Sequence, residues 1–101
     1  MSIYVDNPMP FVGRWDNYSH LWADSDTELH AFADALHLPR RWLQISHGKH
    51  GQFIHYDVSL RIRALALAGV VIEGKLVRAT FLPLAVWLKQ KEMNRGTLSV
   101  E

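Results

Sequence analysis

The chain has no cysteine, which excludes disulfides, thiolate nucleophiles and cysteine-ligated zinc. Such a chain suits a reducing compartment, and any zinc would have to take His and Asp ligands. Long apolar runs are missing as well. The longest, 64–72 and 81–88, fall far short of the roughly 20 residues that a membrane-spanning helix needs. Charge of one sign is not in excess either: 11 Lys and Arg against 10 Asp and Glu leave a net +1, which offers no general attraction for nucleic acid. Residues 1–6 lack the basic segment and apolar stretch of a secretory signal, so the sequence is expected to be soluble and cytoplasmic, with no membrane partner.

What is present is a globular composition, 49% hydrophobic over 101 residues, enough for one compact core. Three short apolar segments each end in aspartate: Ile3 to Asp6, His20 to Asp24 and Phe53 to Asp57. Read as neighbouring parallel strands, they would bring Asp6, Asp24 and Asp57 to one rim of a sheet, with His20 and His55 nearby. The expected fold is therefore a single small α/β domain, a short and mostly parallel sheet covered by two or three helices. Residues 1–79 would form its core, and 80–101 a C-terminal helix and loose tail of the same domain.

Local signals supply the elements. Asn7-Pro8-Met9-Pro10 stops the first strand, and the stretch from Phe11 to Ser19 reads as a loop held down by Trp15 and Tyr18. Ser25 and Glu28 form a capping box, after which Leu29, Phe32, Ala33 and Leu36 mark the buried stripe of a helix ending near His37. The run 39–45 is ambiguous between a helical turn and an extended piece, and 47–51 reads as a glycine loop. Ser59 caps a second helix over 60–68 that stops at Gly69, followed by a strand at 70–72 and a return at 76–79. Thr80 is placed as the cap of a third helix running through Trp87 to about Met93.

The words Tyr4-Val5-Asp6, His20-Leu21-Trp22-Ala23-Asp24, Glu28-Leu29-His30-Ala31-Phe32-Ala33, Leu38-Pro39-Arg40-Arg41-Trp42 and His55-Tyr56-Asp57-Val58, then Arg63-Ala64-Leu65-Ala66, resemble a small bacterial and phage family, domain of unknown function 4031. The resemblance runs over about residues 3–72 and implies a bacterial or phage setting, with no reaction attached. It falls on Asp6, His20, Asp24, His30, Pro39, Arg40, His55, Tyr56 and Asp57. The chain departs from the pattern around 47–51 and in the apolar extension 81–88.

Asp6, Asp24 and Asp57 are candidate ligands for Mg²⁺ or Mn²⁺, since hard cations take carboxylate oxygen and a phosphate completes the shell. The plainer alternative is that Asp24 and Asp57 serve helix starts while Asp6 fixes the proline loop. His20, His55 and Asp57 are the candidate catalytic groups, either on a metal or as a base and acid pair in phosphodiester cleavage; a hydrogen-bonded structural histidine is the competing role. Arg40 and Tyr56 are the candidate binders of phosphate and base. Arg41, Lys49, Arg61, Arg63 and Trp42 could enlarge that surface, although Arg61 and Arg63, two apart on a helix, do not share a narrow face. His30, Asp34 and His37 share a helix flank that more often is simply solvated.

The sequence thus points to a nucleotide- or phosphate-directed pocket, with phosphoester hydrolysis as the leading reaction if the protein is an enzyme. Nucleic acid is a less favoured partner than a small phosphate compound. The rival is a non-enzymatic interaction module, homo-oligomeric through an apolar face of Phe81, Leu84, Ala85 and Leu88, with Trp87 at its margin.

Overall fold

The computed structural model describes residues 2–10, 17–48 and 51–100, so the readings placed on Trp15, Lys49 and His50 lie outside the described residues. In chain order the elements are β1 (Ile3–Val5), β2 (Met9–Pro10), β3 (Asn17–Ala23), α1 (Asp26–Ala35), a 3-10 turn (Arg40–Trp42), β4 (Leu43–Gly48), β5 (Gly51–Ser59), α2 (Leu60–Ala68), β6 (Val70–Ile72), β7 (Lys75–Val77), β8 (Thr80–Phe81) and α3 (Leu84–Val100). The main sheet has the order β4-β5-β3-β1-β8, β2 also pairs with β3, and β6-β7 is a separate hairpin.

Three helices on a sheet agree with the α/β expectation, but the sheet is mixed and mostly antiparallel. Within it only β1 and β8 run parallel, while β1–β3, β2–β3, β3–β5 and β4–β5 are antiparallel. β1 and β3 already oppose each other, and the further reversal of β5 comes from β4, which arises from the ambiguous 39–45 run and the glycine loop expected after it. β4 runs parallel to β3 across the α1 connection, and β5 turns back from β4 to fill the gap between them. A chain with one more strand than expected arrives at Asp57 travelling the opposite way to its arrival at Asp24.

Both neighbouring helices cover one face of this sheet. Ile3, Val5, Leu21, Ala23, Tyr56 and Val58 pack against Leu29, Phe32 and Ala33 of α1 and Ala66 of α2 in a single buried cluster. α1 starts as expected, with Ser25 Oγ accepting from the Glu28 amide at 3.2 Å. The other half of the capping box is replaced: Glu28 accepts from the Ser2 amide, tying the helix start to the beginning of β1. α2 starts at Ser59 and ends at Gly69, whose φ of 106° favours glycine and where a Cβ would lie 2.8 Å from both Arg78 Cγ and Leu76 Cδ1.

The opposite face is polar and aromatic. Directly paired residues share a face, so the Tyr4–Trp22 and His20–Asp57 pairings put these four side chains together, with His55 and Phe53 following at alternate positions. α3 reaches this face through Trp87, whose indole lies 6.0 Å from the Trp22 ring and donates to Asp24 Oδ1 at 3.0 Å. Trp87 is thus a buried anchor rather than the margin of an apolar face, Leu84 and Leu88 are half-buried, and Phe81 is exposed in β8 instead of lying on the helix. Among the described residues no helix is long and apolar enough to cross a membrane.

Candidate metal centre

The site begins with an irregularity between β1 and β2. Val5 pairs with Leu21 and Met9 with Tyr18, so four steps along one strand oppose three along β3. One extra residue is accommodated at 6–8, where Pro8 cannot supply an amide to the ladder. Asp6 stands at the start of this irregularity, and the β1–β3 register continued by one residue sets it opposite His20 on the polar face. Its carboxylate accepts from the Ser19 hydroxyl at 3.0 Å and the His20 amide at 2.8 Å, and its other oxygen lies 2.6 Å from His20 Nδ1. The carbonyl freed by the bulge accepts from Arg63 Nε at 2.9 Å and from Ser19 Oγ.

With Nδ1 committed to Asp6, the His20 ring presents Nε2 to the sheet face, 3.9 Å from Asp57 Oδ1. His55 Nε2 lies 3.4 Å from the same oxygen. One donor atom each from His20, His55 and Asp57 falls within a 4.8 Å cluster. Metal–nitrogen bonds of about 2.0–2.1 Å arranged tetrahedrally give ligand–ligand separations of roughly 3.4 Å. Two of the separations in the triad, 3.4 and 3.9 Å, stand close to that spacing. Asp57 Oδ1 is buried and has no hydrogen-bond partner among the described residues, and the same holds for His55 Nδ1. A buried carboxylate oxygen left unpaired between two imidazole nitrogens is costly unless something occupies the space. The His55 ring is held by packing, stacked at 5.0 Å on Phe53 and edge-on at 5.1 Å to His20.

The electrostatics separate the two histidines. Burial opposes protonation of His20, but the hydrogen bond and charge of Asp6 and the charge of Asp57 outweigh it and raise its pKa above 6.5. Burial likewise opposes ionisation of Asp6, yet the His20 ring, the His20 amide and Ser19 hold it below the ordinary 3.8. For His55 burial prevails, helped by the charge of His20, and its pKa falls below 6.5 despite Asp57 and Asp6.

These directions make a prediction for the metal-free protein. The raised His20 pKa contributes stability that is fully present below about pH 6.5 and is lost as pH climbs through the folded value; the depressed Asp6 pKa contributes stability present above about pH 3.8 and lost in acid. The difference in Tm between the native chain and Asp6→Asn should therefore be greatest between these limits and shrink on both sides. Melts across pH 3–9 with a constant difference would contradict an ion pair.

Not every expected site residue converges. Asp24 lies at the other end of β3, four residues from His20 or roughly 13 Å along the strand. It accepts from Tyr4 Oη and Trp87 Nε1, and its amide bonds Ser2. A three-carboxylate site of Asp6, Asp24 and Asp57 is thereby excluded, because antiparallel β1 and β3 put their C-terminal ends at opposite edges. Arg40 is exposed and engaged by both oxygens of Asp34, at 3.0 and 3.2 Å. Tyr56 is fully buried on the helix-covered face, where it has no surface to offer a base. Ser19, which orients Asp6, was not among the expected residues; its only sequence signal is a small polar residue in a strand next to His20.

A family model described as "Protein of unknown function (DUF4031)" matches residues 3–79, so the chain belongs to that family. Asp6, Ser19, His20, His55 and Asp57 all fall within the match, whereas Trp87 and α3 lie beyond it. No curated protein and no solved structure matches the chain.

Proposed function

We propose that this member of the DUF4031 family is a divalent-metal-dependent phosphoester hydrolase, with His20, His55 and Asp57 holding the ion and Asp6 orienting His20. The observation carrying this reading is the convergence of those three donors on a buried, unpaired Asp57 oxygen. A carboxylate behind a ligating histidine fixes its tautomer and raises its basicity, which is the relation of Asp6 to His20. Two imidazoles and one carboxylate suit Mn²⁺, Zn²⁺ or Fe²⁺ better than Mg²⁺, which favours oxygen ligands. Bound there, the ion would acidify a water and polarise a phosphoryl oxygen. In the reaction, water contributes its oxygen to phosphorus, the P–O bond to the organic group breaks with its electron pair on oxygen, and that oxygen takes the proton.

A second reading draws on the opposed pKa directions. His20, its pKa raised by Asp6, and His55, its pKa lowered by burial, with rings 5.1 Å apart, have the character of a general acid and a general base. One assay separates the two. Metal-stripped protein, with and without added Mn²⁺ or Zn²⁺, is offered p-nitrophenyl phosphate and bis(p-nitrophenyl) phosphate. Turnover that requires the ion and falls about 10²-fold or more in His55→Ala supports the metal reading. Chelator-resistant turnover lost in both His20→Gln and His55→Gln supports the acid–base pair, and no turnover in any condition defeats the hydrolase assignment.

A further inference from the structure

A cavity of about 680 Å³ opens beside the proposed metal centre and shares Asp57 with it. Its wall also includes Tyr18, His37, Arg41, Trp42 and Arg61. From these neighbours we infer that the cavity binds a free nucleoside phosphate, the base stacked on Trp42 and the phosphate held by Arg41 and Arg61 with its ester bond toward Asp57. The inference rests on the hydrolase reading for the direction of the phosphate but not for binding itself.

The placement follows from the fold. Leu43 pairs with Tyr56, so the 3-10 turn that precedes β4 delivers Trp42 alongside Asp57. Trp42 is 46% exposed although it is a large aromatic residue, and its ring borders a cavity of a size ordinary for small-molecule sites. Arg61 enters from the first turn of α2, the positive end of that helix's dipole. The four arginines near the site divide into two kinds. Arg40 is bound by Asp34 and Arg63 by the Asp6 carbonyl, whereas Arg41 and Arg61 have no acidic partner among the described residues and both face the cavity. Two unpaired guanidinium groups and an exposed indole around one concave space suit a ligand that is anionic at one end and aromatic at the other. A net charge of +1 offers a long polynucleotide no general attraction.

Calorimetric titration of the full chain with AMP, ribose 5-phosphate, inorganic phosphate and a 5′-phosphorylated oligoadenylate tests this directly. AMP should bind on the order of tenfold tighter than ribose 5-phosphate, because base stacking adds to phosphate binding. Trp42→Ala should erase that preference while leaving ribose 5-phosphate affinity unchanged, with Trp42→Phe restoring part of it. Arg41→Ala combined with Arg61→Ala should weaken all the phosphates about tenfold or more. These positions are exposed, and an unchanged melt confirms that each variant folds. Equal affinity for AMP and ribose 5-phosphate, or no effect of Trp42→Ala, overturns the inference, and oligoadenylate binding far above AMP overturns the assignment to a free nucleotide. The native chain separates this inference from the hydrolase reading: AMP binding without any turnover, with or without added Mn²⁺ or Zn²⁺, upholds the cavity and rejects the chemistry, whereas turnover without base preference does the reverse.

Discussion

Mn²⁺ or Zn²⁺ at about a hundredfold above its dissociation constant should raise the Tm of the metal-free protein by roughly 10–20 °C. Mass action at that excess stabilises the folded state by about 2.7 kcal/mol, and a domain of this size shifts by ~4–8 °C per kcal/mol. Asp57→Asn should remove the rise, since it takes away the oxygen on which both imidazoles converge. It should cost the metal-free protein little, because that oxygen has no hydrogen-bond partner among the described residues. His55→Ala should also lose the rise. Asp24→Ala is the discriminating control: it forfeits bonds from Tyr4 and Trp87 and lowers the baseline Tm, yet it should keep the full ion-dependent increment. Differential scanning calorimetry decides the matter. An increment that survives in Asp57→Asn, or that disappears in Asp24→Ala, would place the ion somewhere other than at His20, His55 and Asp57. Mg²⁺ should give the smallest shift of the three ions, as the donor set contains two nitrogens.

The largest loss of stability should come from Trp22→Ala, at about 3–5 kcal/mol. Trp22 is fully buried at the centre of the polar and aromatic face, its ring 5.7 Å from that of Tyr4 and 6.0 Å from that of Trp87. Removing it leaves a cavity under α3 and takes a wall from beside His55, which the strand register sets across from position 22. Domains of this size have roughly 5–15 kcal/mol in total, so the variant should be close to half unfolded in mild denaturant. Trp22→Phe should cost far less, within about 1.5 kcal/mol, because the Trp22 indole N–H is buried without a partner among the described residues and its removal relieves an unpaired donor. Urea titration gives both values. If Trp22→Ala shifts the midpoint no more than Trp22→Phe, the aromatic face is not load-carrying and α3 is held by other contacts.

Local chemistry in the sequence was sufficient for the helices that cover the core. Ser25, Ser59 and Gly69 act on amides and carbonyls within four residues, so α1 begins after Ser25 and α2 runs between Ser59 and Gly69. Alternation likewise identified the strands that carry Asp6, His20, His55 and Asp57, because period-two spacing keeps His20 with Trp22 and His55 with Asp57 on one face. Strand direction is another matter. It depends on how many times the chain reverses: one reversal falls between β1 and β3, and another is set by β4, whose residues have local preferences divided between turn and strand. Antiparallel pairing then carried Asp24 to the far edge to meet Tyr4 and Trp87, while the same pairing set His20 opposite Asp57. The meeting of Asp6 with His20 follows from the register of β1 along β3, and the difference between Arg40 and the two cavity arginines, Arg41 and Arg61, depends on where Asp34 stands on α1. Such choices are made by long-range pairing and packing, whose free energies belong to the assembled sheet and not to any short stretch of chain.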